Sequence, residues 1–239
     1  MGAAARAMAN FGIMRLSVVA PYAEHWREAQ SAVGAEALLQ RANKTESLAE
    51  AVANCTLVVG TGTLTYRKPE QPVIPLPALA PLVARELARG GRIALVFGPE
   101  KHGLTREDLS YCHLLVEIPT DTGQPSMNLG QAVAVCLYEL ASRTFAAQSG
   151  PVAAMPLEPE ASGAAASSGD LDLLAGLIEQ AMIAAGYSPR TMQAANRHDL
   201  RVLLRRLTLT PHDARRALGL FRRILWRFNR PAGSGHAQD

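Results

Sequence analysis

Arg92-Ile93-Ala94-Leu95-Val96-Phe97-Gly98-Pro99-Glu100-Lys101-His102-Gly103-Leu104 is the stretch that decides how this chain folds. Its first half is a short apolar run closed by glycine, the pattern of a buried parallel strand that ends in a turn. Its second half carries two glycines and a proline at the strand's carboxyl end, where backbone N–H groups can approach a ligand closely. Working outward, residues 16–20, 56–60 and 114–118 are further β-branched or apolar runs bounded by Gly, Pro or polar residues. Helical patterns lie between them. Ser47-Leu48-Ala49-Glu50 is a capping box opening a helix that ends near Asn54. Residues 79–89 form a second helix, with Pro81 in its first turn and Gly90-Gly91 stopping it. Residues 128–143 form a third, with Leu129, Ala132, Val133, Cys136, Leu137 and Leu140 on one stripe. Alternation of this kind predicts an α/β domain with a parallel sheet over residues 1–146.

Residues 147–169 are almost wholly Ala, Pro, Gly, Ser and Glu and read as a flexible linker. Residues 170–230 predict a small, basic, all-α C-terminal domain, with 231–239 as a tail. Its helices fall at 171–185, closed by Gly186, at 199–207, and at 211–228, with Thr210 as N-cap and Pro211 at the first helical position. Leu174, Ile178, Leu203, Leu207, Leu218, Phe221 and Leu225 are the expected small core. The first helix, residues 2–10, opens the chain with neither a cap nor a feeding strand, so a strand upstream of residue 1 is expected.

The net charge of +3 is unevenly spread. Residues 1–169 carry 13 Lys/Arg and 15 Asp/Glu, whereas residues 170–239 carry 11 Arg and 6 Asp/Glu. A basic end on a near-neutral body suits a polyanion, and arginine suits planar phosphate recognition. Arg197, Arg201, Arg205, Arg206, Arg215, Arg216, Arg222 and Arg223 are the candidate contacts.

Several classes are excluded. No run of roughly 18 uninterrupted apolar residues exists; residues 76–88 are broken by Arg85 and Glu86. Arg6 stands where a myristoylation motif wants Ser or Thr, and the N-terminus lacks a signal-like apolar core. There is no G-x-G-x-x-G, Walker A loop, H-E-x-x-H or G-x-S-x-G. The 6 histidines show no metal spacing, and Cys55, Cys112 and Cys136 form no C-x-x-C pair, so no metal is expected. The three thiols fit the reducing cytoplasm.

Three turns at strand carboxyl ends remain, where open α/β sheets bind ligands. They are Gly60-Thr61-Gly62-Thr63, Gly98 to Leu104, and Ile118-Pro119 with its loop up to Ser126-Met127-Asn128-Leu129. On their residues alone these turns make either a ligand cleft or ordinary turns and a helix cap.

Phe97-Gly98-Pro99-Glu100-Lys101-His102-Gly103-Leu104 resembles the F-G-x-E-x-x-G-L motif of the SpoU/TrmH branch of the SPOUT methyltransferases. Ile118-Pro119 with Ser126-Met127-Asn128-Leu129 resembles the branch's last motif, and Gly2-Ala3-Ala4-Ala5-Arg6-Ala7 the tail of its first, N-x-G-x-x-x-R. The motif's asparagine would fall just before the chain begins. Trp26-Arg27-Glu28-Ala29 and Ser31-Ala32-Val33-Gly34-Ala35 are most similar to the TrmJ subgroup, which also carries a short helical extension. The resemblance implies a Rossmann-like parallel sheet ending in a deep trefoil knot, and a homodimer. It implies an S-adenosylmethionine-dependent tRNA 2'-O-methyltransferase acting on cytidine or uridine at position 32 of the anticodon loop. On the same basis Gly60, Thr61, Gly62, Gly98, Ile118, Pro119, Ser126, Met127 and Leu129 hold the cofactor, and Arg6, Glu100, Ser126 and Asn128 serve catalysis. A relative that binds RNA without methylating it, or one that modifies another tRNA or rRNA nucleotide, is the alternative. A helical DNA-binding regulator lacks a recognition-helix pattern.

Overall fold

The computed structural model describes residues 1–22, 25–62, 69–149 and 164–229. The chain opens with α1 (Gly2–Asn10) and β1 (Ser17–Val19), passes two 3-10 turns, and continues through α2 (Glu36–Gln40), β2 (Asn43–Thr45) and α3 (Leu48–Val52). Then come β3 (Leu57–Thr61), β4 (Val73–Pro75), α4 (Leu79–Ala88), β5 (Ile93–Val96), α5 (Arg106–Ser110), β6 (Leu114–Glu117) and α6 (Leu129–Ser149). Three helices finish the described chain: α7 (Ser168–Ala184), α8 (Gln193–Arg206) and α9 (Pro211–Phe228). Among the described residues, no helix is long and apolar enough to cross a membrane.

Four strands form a parallel sheet in the order β4-β6-β3-β5, and β1 pairs with β2 in a separate parallel pair. β3 lies between two partners. It pairs with β5 from Leu57↔Ile93 to Gly60↔Val96, and with β6 from Val59↔Leu114 to Thr61↔Val116. Alternate side chains of a strand face opposite sides. Val58 accordingly packs with Val52, Leu104, Leu109, Cys112 and Leu115, while Val59 packs with Leu76, Leu79, Val116 and Cys136. Burial on both faces is why β3 reads as a continuous apolar run. The last strand, β6, returns to fill the place between β3 and β4.

The four strands expected from apolar runs are present. β2 and β4 are not foreshadowed, because each is three residues long and carries little apolar signal (Asn43-Lys44-Thr45, and Val73-Ile74 ended by Pro75). The Ser47 cap also differs in detail. The Ser47 hydroxyl accepts from the Glu50 N–H, but the Glu50 carboxylate accepts from the Glu46 N–H, one residue before the N-cap.

Residues 164–169 correct the expected linker. The Ala166 N–H donates to the Leu209 carbonyl, the Ser168 N–H to Cys55 and the Gly169 N–H to Ala53, so this segment is docked on the body. At the other end, α6 runs on to Ser149. The part of the linker at 150–163 lies outside the described residues, as does the 231–239 tail.

The expected tail core needs a second correction. α8 starts six residues before the predicted 199, and Leu203 and Leu207 are exposed, with Leu204 packed instead against Leu174, Ala175 and Leu218. The cause is Arg205, which is 2 % exposed. Its guanidinium donates to the Tyr111 carbonyl at 3.0 Å, to Asp172 at 2.8 Å and to the Arg201 carbonyl at 3.3 Å. A charge this deep is tolerated only when paired, so its partners set the rotation of α8. Beside it, Arg201 pairs with Glu107 and stacks on the Tyr111 ring at 4.3 Å. Arg205 therefore does not offer its guanidinium to a phosphate, and Arg201 is engaged in the same contact. Both arginines fasten the helical end to α5.

One strand along, His113 Nδ1 accepts from the Val58 N–H while the His113 N–H donates to the Val58 carbonyl. Burial first, and the Arg205 charge second, hold this imidazole down at about 3, against an ordinary 6.5.

Arg205→Met should cost about 3 kcal/mol in urea unfolding, since the half-buried Asp172 loses its cation and the Tyr111 carbonyl its donor; Arg206→Met, exposed, should change stability by less than about 0.5 kcal/mol. His113 makes a pH prediction as well. The unfolded chain takes the proton near 6.5 and the folded chain near 3. The contribution of His113 is complete above pH 6.5 and is lost as the pH falls toward 3. The loss approaches about 1.4 kcal/mol per pH unit. His113→Asn should flatten that acid limb in urea titrations at stepped pH.

Candidate active site

Because β3, β5 and β6 are parallel and in register, their carboxyl ends reach the same edge of the sheet and their turns lie side by side. Together they enclose a pocket of about 270 Å³. Thr61 and Gly62 come from the first turn, Phe97 to Leu104 from the second, and Ile118, Thr120, Pro125, Ser126 and Met127 from the third. Leu129 and Ala132 of α6 and Leu109 of α5 add apolar wall.

The second turn folds back on itself. A Cβ on Gly98 would stand 2.2 Å from the Gly103 carbonyl carbon and 2.3 Å from the Leu104 nitrogen, so only glycine fits there. Gly103 takes φ +64°, a conformation that L side chains rarely adopt, and donates its N–H to the Pro99 carbonyl at 2.7 Å. Glu100 then ties this turn to the third. Its carboxylate accepts from Asn128 Nδ2 at 2.8 Å and from the Leu129 N–H at 3.1 Å. Asn128 Oδ1 accepts from the Gly130 N–H at 2.9 Å, which makes it the N-cap of α6. An anionic carboxylate on the first free amide of a long helix also complements the helix dipole.

The structure thus brings Thr61, Gly62, Gly98, Glu100, Ile118, Ser126, Met127 and Leu129 to one pocket. Asn128 acts from behind the wall, through Glu100 and the α6 cap. Gly60 lies beneath the lining: a Cβ there would meet Cys112 Sγ and Leu115 Cδ2, each at 2.8 Å. Pro119 is exposed at the loop's start and is not part of the lining. Arg6 is likewise exposed on α1 and outside the pocket of its own chain. Its helix nevertheless abuts the pocket's supporting helix, since a Cβ on Gly130 would stand 2.7 Å from Ala3 Cβ.

Lys101, His102 and Leu104 of the second turn also line the pocket, and Leu109 joins them from outside the three turns. Leu109 belongs to α5, whose signal was present in Thr105 and Asp108: the Thr105 hydroxyl accepts from the Asp108 N–H and the Asp108 carboxylate from the Thr105 N–H. None of the three cysteines lines the pocket. Burial pushes both Cys112 and Cys136 up to about 12, so they pack as thiols. Glu70, His198 and Asp199 place three potential ligand atoms within 4.8 Å of one another. Glu70 already pairs with Arg106 at 3.1 Å, however, and meets His198 Nε2 at 3.3 Å, so the trio serves as a polar junction between a body loop and α8.

Of the nominated arginines, Arg197 holds Glu179 through three hydrogen bonds of 2.9–3.1 Å. Arg206, Arg215, Arg216, Arg222 and Arg223 are exposed.

Residues 1–138 match the family model described as the SpoU rRNA Methylase family. The tRNA (cytidine/uridine/adenosine-2'-O-)-methyltransferase TrmJ of Pseudomonas aeruginosa is 38 % identical over 152 residues, covering 63 % of this chain and 59 % of that protein. The tRNA (cytidine/uridine-2'-O-)-methyltransferase TrmJ of Cronobacter sakazakii is 33 % identical over 192 residues, covering 78 % of this chain and 75 % of its own length. The crystal structure of TrmJ from Z. mobilis ZM4 superposes with a TM-score of 0.76 at 28 % identity, covering 93 % of this chain and 92 % of that one.

Removing the Glu100 carboxylate strips an acceptor from both Asn128 and the start of α6. Glu100→Ala should therefore lower stability by about 1 kcal/mol in urea unfolding, as loss of a helix cap does. Glu100→Gln, which keeps an acceptor oxygen, should fall between it and the parent.

Proposed function

The chain belongs to the SpoU rRNA methylase family, and on that premise we propose that it is an S-adenosylmethionine-dependent tRNA 2'-O-ribose methyltransferase, acting on cytidine or uridine 32 of the anticodon loop. The observation that carries this reading is the convergence of the three motif-bearing turns on one pocket. The residues present suit the cofactor. Gly98 leaves a cradle that a Cβ would fill, Ile118, Met127 and Leu129 offer apolar surface for a purine, and the turns offer backbone polar groups. When bound, the cofactor supplies an electrophilic methyl group on a sulfonium. Thr61, Gly62, Gly98, Ile118, Ser126, Met127 and Leu129 would hold it; Gly60 would support the first turn from below, and Pro119 would shape the loop.

The protein's task is then to place a ribose hydroxyl in line with that methyl group, which makes orientation the main contribution. Glu100 and Asn128 keep the second and third turns in fixed relation, and Ser126, which lines the pocket, would meet the incoming ribose. Arg6 would grip the phosphate beside the target and position the 2'-OH. A guanidinium stays protonated, so it is a poor general base. Because Arg6 lies outside the pocket of its own chain, we place it in the partner's site of a homodimer, with each active site completed across the interface. The return of β6 between β3 and β4 supports a deep trefoil knot in the chain that follows it. Arg206, Arg215, Arg216, Arg222 and Arg223 would hold tRNA phosphates, with Arg197 at the margin. The unpaired thiols and the tRNA substrate suit the cytoplasm.

The position of Arg6 also favours a second reading, a relative that binds RNA without methylating it. The two part company in one experiment: transfer of labelled methyl from S-adenosylmethionine to tRNA transcripts, with the modified nucleotide mapped. Modification at nucleotide 32 is expected, and Arg6→Ala should slow single-turnover transfer about a hundredfold. Methylation elsewhere would move the target, and RNA binding with no transfer would establish the second reading.

A further inference from the structure

We propose that the outward face of α9 is a docking surface for an unpaired RNA segment, with Trp226 as the ring on which a base stacks. The proposal rests on the RNA-methylating reading above and deepens it by naming the form of RNA that the helical end accepts. On a helix of 3.6 residues per turn, Arg215, Arg216, Gly219, Arg222, Arg223, Trp226 and Arg227 share one side. Ala214 and Leu218 are buried on the opposite side, with Ala217 and Phe221 packed in the same small core. The face is almost purely cationic. Among the described residues, none of Arg215, Arg216, Arg222, Arg223 and Arg227 makes an ion pair with a carboxylate. The acidic residue of the helix, Asp213, is occupied at the N-terminus by Thr210.

Amid these charges stands one large aromatic residue. Trp226 is 46 % exposed, and the Arg223 guanidinium sits 4.2 Å from its ring centre. A turn or two earlier, Gly219 leaves open space, with nothing within 4 Å of where its Cβ would be. A gap flanked by arginine pairs and followed by an indole matches a strand that lays its phosphates on the guanidinium groups and its base on the ring. A duplex keeps its bases stacked inside and would touch only the arginines. A membrane would need a broad apolar face, and here the exposed apolar residues of α9 are Leu220, Trp226 and Phe228, with the arginines between them.

The protein provides its own reporter. It has 2 tryptophans, and Trp26 is 5 % exposed in the body core. In the full-length Trp26→Phe variant without cofactor, a single-stranded oligoribonucleotide should quench Trp226 fluorescence at concentrations where the duplex of the same sequence does not. Should Trp26→Phe fail to fold, the same signal is the difference between the parent and Trp226→Phe. In filter binding, Trp226→Ala should weaken single-strand affinity about tenfold, the scale of one lost base stack, while Trp226→Phe keeps most of it and duplex binding is unchanged. Equal quenching by duplex, unchanged affinity in Trp226→Ala, or quenching by anionic vesicles but not by RNA would each overturn the proposal. Methyl transfer to tRNA by the parent, measured alongside, separates the two readings. Transfer without quenching sinks the stacking surface alone, and quenching without transfer sinks the methyltransferase.

Discussion

Everything at the functional edge depends on β3 being paired in register on both sides. Gly60 opposite Val96 and Leu115, and Thr61 opposite Val116, bring three strand ends to one level. The three turns meet as a result, and no single turn would make a pocket. Glu100 then spans the remaining gap, converting adjacency into a braced wall by anchoring the middle turn to the first residues of α6. The sheet sets the level and one carboxylate sets the fit.

How much of this could be read from the chain follows from where each signal lives. β3 and β5 announce themselves because burial on both faces demands apolar side chains at nearly every position. β2 and β4 exist only through pairing with β1 and β6, so their own residues carry no comparable mark. α5 was missed although its capping pair, Thr105 and Asp108, sits in plain view, because five residues give no periodicity to read. The pocket was legible as glycines after strands. The arrangement behind it was not: that Asn128 caps a helix while its amide also feeds Glu100 is a fact of three dimensions, as is the seat of Gly60 over Cys112.

The arginines divide in a way that composition cannot show. Counting them gives one basic stripe, yet burial separates two uses of the same side chain. Arg205 and Arg201 are spent on Tyr111, Asp172 and Glu107, where planar geometry and multiple donors let a cation sit in the interior. Those on α9 keep their heads in solvent. The misplaced register of α8 has the same root, since a helix is turned toward its best-satisfied buried charge even when that leaves Leu203 and Leu207 in water.

One further consequence comes from α5. Its Leu109 is part of the pocket wall, while Glu107 and the Tyr111 that follows it receive α8. A few consecutive residues therefore hold the pocket on one side and the cationic helices on the other. The separation between the two is a fixed gauge, and under the proposed function an RNA spanning both would have to match it in size and shape. Discrimination among folded RNAs can then come from the distance between a gripped strand and a presented ribose, without any base edge being read.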